Sequence, residues 1–348
     1  MSTSPANDLA AAAEDDADLA DLGDSLRDAV ETVAQAFCDA PPWLSTGLKE
    51  LDEKIGGLHA SDLIVIAGRP TMGKTALALG IAAHGARREP PPSLAGDGEG
   101  PALAPRPLGH VAFFSPQMTS EQLALRLCAM EGKLTAERLY KGNIDAEEFG
   151  RVRDAAMELQ DTRLYIDDRP ALTIDQIEKR AQRVKQERGL DLIVVDCIQQ
   201  VVGPAWTRDN RTHELGEIVR RLKALAKALK VPVVAVSNLN RQVEDRRDHR
   251  PWLTDLRHCG EIEDIADLVI FTYRRAVDLL REEPREGTPE HLTWQEAMDV
   301  AFRYVDLILA KNRHGSNGTR RMKFDEDTIQ ISDLPRHEYR FDRTSSGE

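Results

Sequence analysis

From residue 62 onward the chain alternates short apolar runs with longer segments of mixed polarity. The runs are DLIVIAG (62–68), HVAFFS (110–115), TRLYIDD (162–168), LDLIVVD (190–196), VPVVAVS (231–237) and ADLVIFTYR (266–274). Each is short, rich in β-branched residues and nearly continuous in apolar character, the pattern of a strand buried on both faces. Most of the intervening segments are helical by pattern, among them KTALALGIAAHGA (74–86) and HELGEIVRRLKALAKALK (213–230). Such alternation predicts an α/β fold with a mainly parallel sheet flanked by helices. Two later runs, VDLILAKNR (305–313) and TRRMKFD (319–325), are separated by HGSNG and predict a C-terminal antiparallel β-hairpin.

Upstream of the first strand the pattern changes. Leu22, Leu26, Val30, Val33 and Phe37 recur at spacings of three and four, so residues 21–42 are expected to form a linker helix ended by Pro41 and Pro42. Its apolar stripe suits either its own domain or a neighbouring subunit. Residues 1–20 hold few large apolar groups and read as a disordered acidic tail. The main domain is expected over 43–335, with a C-terminal tail over 336–348. A flexible insert is expected at 89–109, which carries six prolines and four glycines, and a second, helical insert between Val277 and Ala301.

Composition adds limits. The chain has 348 residues, 41% hydrophobic and 30% charged, with no apolar run long enough to span a membrane and no secretory pattern at its N-terminus. Cys38, Cys128, Cys197 and Cys259 lack CxxC spacing, so neither a zinc site nor a disulfide framework is expected, and the cytoplasm is the expected compartment. The net charge of -13 argues against a nucleic-acid partner only until its distribution is read. Residues 1–40 contain ten acidic side chains and one basic one, a net of -9, which leaves -4 for the rest. A nearly balanced body can still carry a local basic stripe.

The sharpest chemical signal is GRPTMGKT (68–75), which fits G-x-x-x-x-G-K-[ST] between a strand and a helix. Gly68 and Gly73 let the backbone turn, so that the stretch from Arg69 and Pro70 to the helix start surrounds phosphate oxygens with amides. Lys74 is expected to reach the terminal phosphates of ATP, and Thr75 to coordinate Mg²⁺. Thr71 and Met72 complete the loop. Asp196, ending a buried strand, is the natural partner for the metal's water shell.

Several ordered stretches together carry a likeness. STGLKELDEKIGGLHASDLIVIAGRPTMGKTALAL, LYIDD, HELGEIVRRLKALAKALKVPVVAVSNLNRQVEDRRDHRP and DLRHCGEIEDIADLVIFTYR resemble the RecA-like P-loop ATPase motor domain of DnaB-type replicative DNA helicases over roughly residues 43–333. No counterpart of the family's primase-binding collar is read in the roughly 40 preceding residues. The resemblance implies a homohexameric ring that threads single-stranded DNA and moves 5′ to 3′ using ATP and Mg²⁺, with replisome or loader proteins as further partners. It assigns Lys311 and Arg313 to a hairpin finger that reaches a neighbouring subunit's γ-phosphate; spaced i and i+2 on a strand, they should point the same way. It assigns Arg257 and the backbone near Gly260, in LRHCG, to a DNA loop in the ring's channel, where His258 and Cys259 replace the usual acidic and small residues.

Two departures bear on catalysis. Gln117, in FFSPQM, stands where the family carries the glutamate that polarises the attacking water. An amide can hold water but cannot act as a base. Pro116 beside it removes a backbone donor, and Glu121, one helical turn on, is the nearest alternative carboxylate. Asn238, in SNLNR, stands where the family has a glutamine linking γ-phosphate to the DNA loops. Two readings therefore remain open: an active ATP-dependent helicase or translocase, or an ATP-binding ring with little turnover that serves as clamp, loading partner or regulator. A small-molecule kinase would need an arginine-bearing lid, and none is visible.

Overall fold

The computed structural model describes residues 21–37, 43–87, 109–207 and 210–335. It comprises two units, residues 1–43 and 44–348. In the first, helix α1 (Leu22–Phe37) forms as the apolar spacing predicts, with Leu22, Leu26, Val30, Val33 and Phe37 all exposed. The tail at 1–20, most of the 89–109 insert and residues 336–348 lie outside the described residues.

The second unit is built on one nine-stranded sheet of order β3-β2-β4-β5-β1-β6-β7-β8-β9. Strands β1 (Leu63–Gly68), β2 (Val111–Phe114), β3 (Leu164–Asp167), β4 (Leu192–Asp196), β5 (Val233–Asn238) and β6 (Leu268–Tyr273) run parallel. Burial on both faces explains their unbroken apolar character: every residue of β1, β2, β4 and β6 is buried. One core lies on each face. Ile64, Ile66, Phe113 and Val194 pack on one side, Leu63, Val65, Phe114 and Phe271 on the other, as the two-residue period of a strand requires. The expected hairpin is present as β7 (Tyr304–Asn312) and β8 (Gly318–Asp325), followed by a short β9 (Gln330–Ser332), all antiparallel.

Helices fill the crossovers. They are α2 (Lys49–Ile55), α3 (Lys74–Ala86), α4 (Ser120–Gly132), α5 (Ala136–Lys141), α6 (Ala146–Leu159), α7 (Ile174–Arg188), α8 (Arg211–Leu229) and α9 (Gly260–Ile265). The second insert contributes α10 (Arg275–Leu279) and α11 (Pro289–Ala301). Local sequence sets where several begin. Thr119 with Gln122, Asp145 with Glu148 and Thr173 with Gln176 form reciprocal capping boxes that satisfy the first amides of α4, α6 and α7.

The sheet has two chemically distinct edges. The carboxyl ends of β1, β2, β4 and β5 converge on one, the usual place for a ligand crevice in a parallel sheet. The other is organised by the buried carboxylate of Asp267. It accepts the Leu63 amide at 2.8 Å, Lys223 Nζ at 2.5 Å and Arg313 Nη1 at 3.0 Å, so it joins the start of β1, helix α8 and the end of β7. Asp267→Asn should leave two cations without their counter-charge and destabilise the fold by about 3 kcal/mol. A urea titration should show a lower midpoint with an unchanged slope.

Candidate nucleotide site

The loop between β1 and α3 has the shape its glycines predict. A Cβ at Gly68 would stand 2.6 Å from Thr272 Oγ1 and 2.9 Å from Thr272 O, so β6 leaves room only for hydrogen there. Gly73 caps α3 with φ of 88°, a left-handed conformation that costs glycine little. Thr71 also has positive φ, 65°. The loop side chains divide sharply. Arg69 and Met72 are buried and turn into the protein, so only their backbone is available to a ligand, whereas Pro70 and Thr71 are exposed.

Lys74 opens α3. Its Nζ donates to the Arg69 carbonyl at 2.8 Å, and burial brings the ammonium down to about 8 despite the Asp196 charge that favours it. Burial also pushes the Asp196 carboxyl up, opposed by a hydrogen bond from Thr75 and by the charges of Lys74 and Arg126. Arg126, on the same face of α4 as buried Leu123 and Met130, is held below its ordinary range by burial, with the Asp196 charge opposing. Two cations therefore surround one carboxylate at the positive end of a helix, which suits an anion. Among the described residues no three His, Cys, Asp or Glu side chains form a metal cage. Thr75 and Asp196 offer the few oxygens with which Mg²⁺ is ordinarily held beside substrate phosphates.

Next to this charge centre, Gln117, Cys197 and Asn238 converge. Gln117 Oε1 lies 3.9 Å from Cys197 Sγ, and Asn238 Nδ2 lies 3.7 Å from the same sulfur. Cys197 is buried and follows Asp196 directly. Gln199 closes the group: its Nε2 donates to Ser237 Oγ at 2.9 Å, and its Oε1 accepts the Asn238 amide at 3.1 Å. The Gln117 turn is held by Ser115, whose hydroxyl bonds both the amide and the carbonyl of Met118. Glu121 sits exposed in the first turn of α4. Thus Lys74, Thr75, Asp196, Gln117 and Asn238 gather at one edge. Sequence reasoning missed Arg126, Cys197 and Gln199; their only signal is position, beside or one turn from residues it did find.

Lys311 and Arg313 lie elsewhere. They do point the same way, since Lys311 Nζ and Arg313 Nη2 both reach the Asp264 carbonyl, at 3.1 and 2.7 Å. Strand β7 is antiparallel to β6, with Asn312 beside Leu268, and β6 is in register with β1, Leu268 beside Ile64. The pair therefore occupies the amino edge of the sheet, about 10 to 17 Å from the level of its own Gly68 along the strand at about 3.3 Å per residue. The DNA-loop segment forms a 3-10 turn, Leu253–Cys259, leading into α9 at Gly260. The side chains of Arg257, His258 and Cys259 lie outside the described residues. Within 240–250, Arg246 is engaged with Asp255 and the Trp252 ring, and Arg250 with Asp306 and the Tyr273 ring.

Residues 44–333 match the family model of the DnaB-like helicase C terminal domain. The chain is 37% identical to the replicative DNA helicase DnaB of Rickettsia typhi over 85% of its own length, and 40% identical to that of Rickettsia bellii over 84%. It spans 58% and 57% of those proteins. Among solved structures, one of an ATPase domain superposes with a TM-score of 0.71 at 27% identity, covering 89% of this chain and 99% of that one. A DnaB-like replicative helicase, solved in a study of its interactions with primase, gives 0.70 at 27% identity, covering 88% and 68%. The chain belongs to the DnaB-like helicase C-terminal domain family.

Proposed function

We propose that this chain is the ATP-driven motor of a ring that encircles and moves along single-stranded DNA in the cytoplasm. ATP and Mg²⁺ sit on the loop at 68–75, with Lys74 on the terminal phosphates and Thr75 and Asp196 on the metal. The observation that carries the reading is the separation of Lys311 and Arg313 from their own loop. A head-to-tail neighbour can bring the amino edge of one sheet to the carboxyl edge of the next, and a repeated rotation of that kind closes into a ring. A homohexamer is the size carried over from the family, as are the roles of Arg257, His258 and Gly260 on the DNA backbone and contacts with replisome or loader proteins.

Turnover in this motor is slow. Gln117 orients water through its amide, which faces Cys197, but takes no proton. The second reading, a nucleotide-held clamp, is favoured by the same side chain. Steady-state ATP hydrolysis with and without single-stranded DNA, beside direct ATP binding, separates them. DNA-stimulated turnover near 1 s⁻¹ or above, roughly within the ordinary enzyme range, supports the motor; tight binding without turnover supports the clamp.

Gln117→Glu should raise turnover about a hundredfold, the lower end of what a positioned base contributes. An unchanged rate in that assay would mean that proton removal does not limit the reaction. ATP affinity should also depend on pH through Lys74. A bound phosphate favours the ammonium, so binding is strongest below pH about 8, where Lys74 is already charged. Above it, calorimetry should record proton uptake and a loss approaching tenfold per pH unit.

A further inference from the structure

A buried ionic cluster links the nucleotide loop to the segment that leads to the DNA loop. Asp278, on α10, is wholly buried and accepts Arg69 of the phosphate-binding loop. His249 Nδ1 lies 3.0 Å from the same carboxylate oxygen, without the alignment of a hydrogen bond. The Tyr273 phenol lies beside the carboxylate as well, and burial with that negative neighbour pushes it up to about 12. The cluster is incompletely satisfied: Arg69 Nη1, Asp278 Oδ2 and His249 Nδ1 are buried without a hydrogen-bond partner. Such a network is costly in one arrangement and therefore responsive to small movements of its members.

Arg69 is joined to both ends. Its carbonyl takes the Lys74 ammonium and its guanidinium takes Asp278. Phosphates that draw Lys74 to themselves must weaken the bond to the Arg69 carbonyl. His249 belongs to the segment running from Asn238, at the end of β5, to the turn Leu253–Cys259. That segment is pinned on either side of His249, by Arg246 to Asp255 and by Arg250 to Asp306. A displacement at His249 is thus passed along a stapled strand of backbone rather than lost in a loose loop.

We propose that Arg69, Asp278 and His249 form a relay that makes single-stranded DNA affinity depend on whether phosphates occupy the Lys74 site. The relay runs beside the route through Asn238 and rests on the ATP- and DNA-binding reading above. His249 and Asp278 are positioning residues in it; neither touches the reacting atoms.

The test measures binding and needs no turnover. Affinity of the full chain for a fluorescent oligothymidylate is measured without nucleotide and with a non-hydrolysable ATP analogue, for the native protein, His249→Gln and His249→Lys. The native ratio should fall in the range of allosteric couplings, roughly 5- to 150-fold. In His249→Gln it should fall within about twofold of unity, while affinity for the analogue alone and for DNA alone stays native. His249→Lys, which places a cation beside Asp278, should restore the ratio and serves if glutamine unsettles the segment. Equal coupling in all three proteins overturns the relay alone. A native protein with no coupling overturns the relay together with the DNA-motor reading. Loss of analogue binding in His249→Gln that lysine does not restore marks a purely structural role and also overturns the relay.

Discussion

A buried ammonium that the protein satisfies only in part is the constraint around which the second unit is arranged. Lys74 has one backbone carbonyl within reach and a carboxylate, Asp196, whose own charge is disfavoured by burial. Removing a charge from water without full compensation is expensive. The surrounding features limit that cost: a bond from Thr75 to Asp196, a helix start aimed at the site, and a strand packed so closely on Gly68 that no side chain fits between. What remains uncompensated is a standing preference for an anion. The glycines, the left-handed Gly73 and the inward turn of Arg69 are the means by which a short loop holds that geometry.

The same sheet keeps its other cations away. Because β7 reverses direction, Lys311 and Arg313 end beside α9, where they cap the carbonyls of Glu263 and Asp264, and Asp267 anchors Arg313 further. Cations at a helix C-terminus are favoured by the helix dipole, so this arrangement is stable in a single chain. In the proposed ring the finger must exchange these partners for a neighbour's phosphate. Leaving the buried Asp267 carboxylate is the larger cost of that exchange, limited because Lys223 remains bonded to it.

The strands were legible because burial on both faces leaves no polar alternation to confuse, and the nucleotide loop because its residue types have a mechanical reason at each position. Gln117 and Asn238 were found only through resemblance: nothing in FFSPQM or SNLNR by itself says that the two amides meet. Their meeting point, Cys197, was invisible, since a buried thiol beside an acidic residue reads as core. In the arginine-rich stretch 240–250, Arg246 and Arg250 are folded onto Trp252, Tyr273 and two aspartates. For Arg250 the partners, Tyr273 and Asp306, are distant in sequence and leave no mark in local composition. Asp278 was missed for the same reason: its partners, at 69, 249 and 273, come from three separate elements.

The charge inventory bears on the choice between motor and clamp. Around Asp196 stand Lys74 and Arg126, while the groups that meet at the Cys197 thiol from the turn after β2 and the end of β5 are the neutral Gln117 and Asn238. In the proposed reading, ATP brings several negative charges to a site already biased to accept them, so its ground state is held well. Faster chemistry requires interactions that strengthen in the transition state, and a carboxylate at 117 would supply one by taking the water's proton. An amide holds the water in both states alike. In the same proposed reading, a finger arriving from a neighbour would act on the transition state, by meeting charge as it develops on the phosphate. On the proposed reading, hydrolysis therefore depends on assembly with a second copy as well as on the residues of one copy.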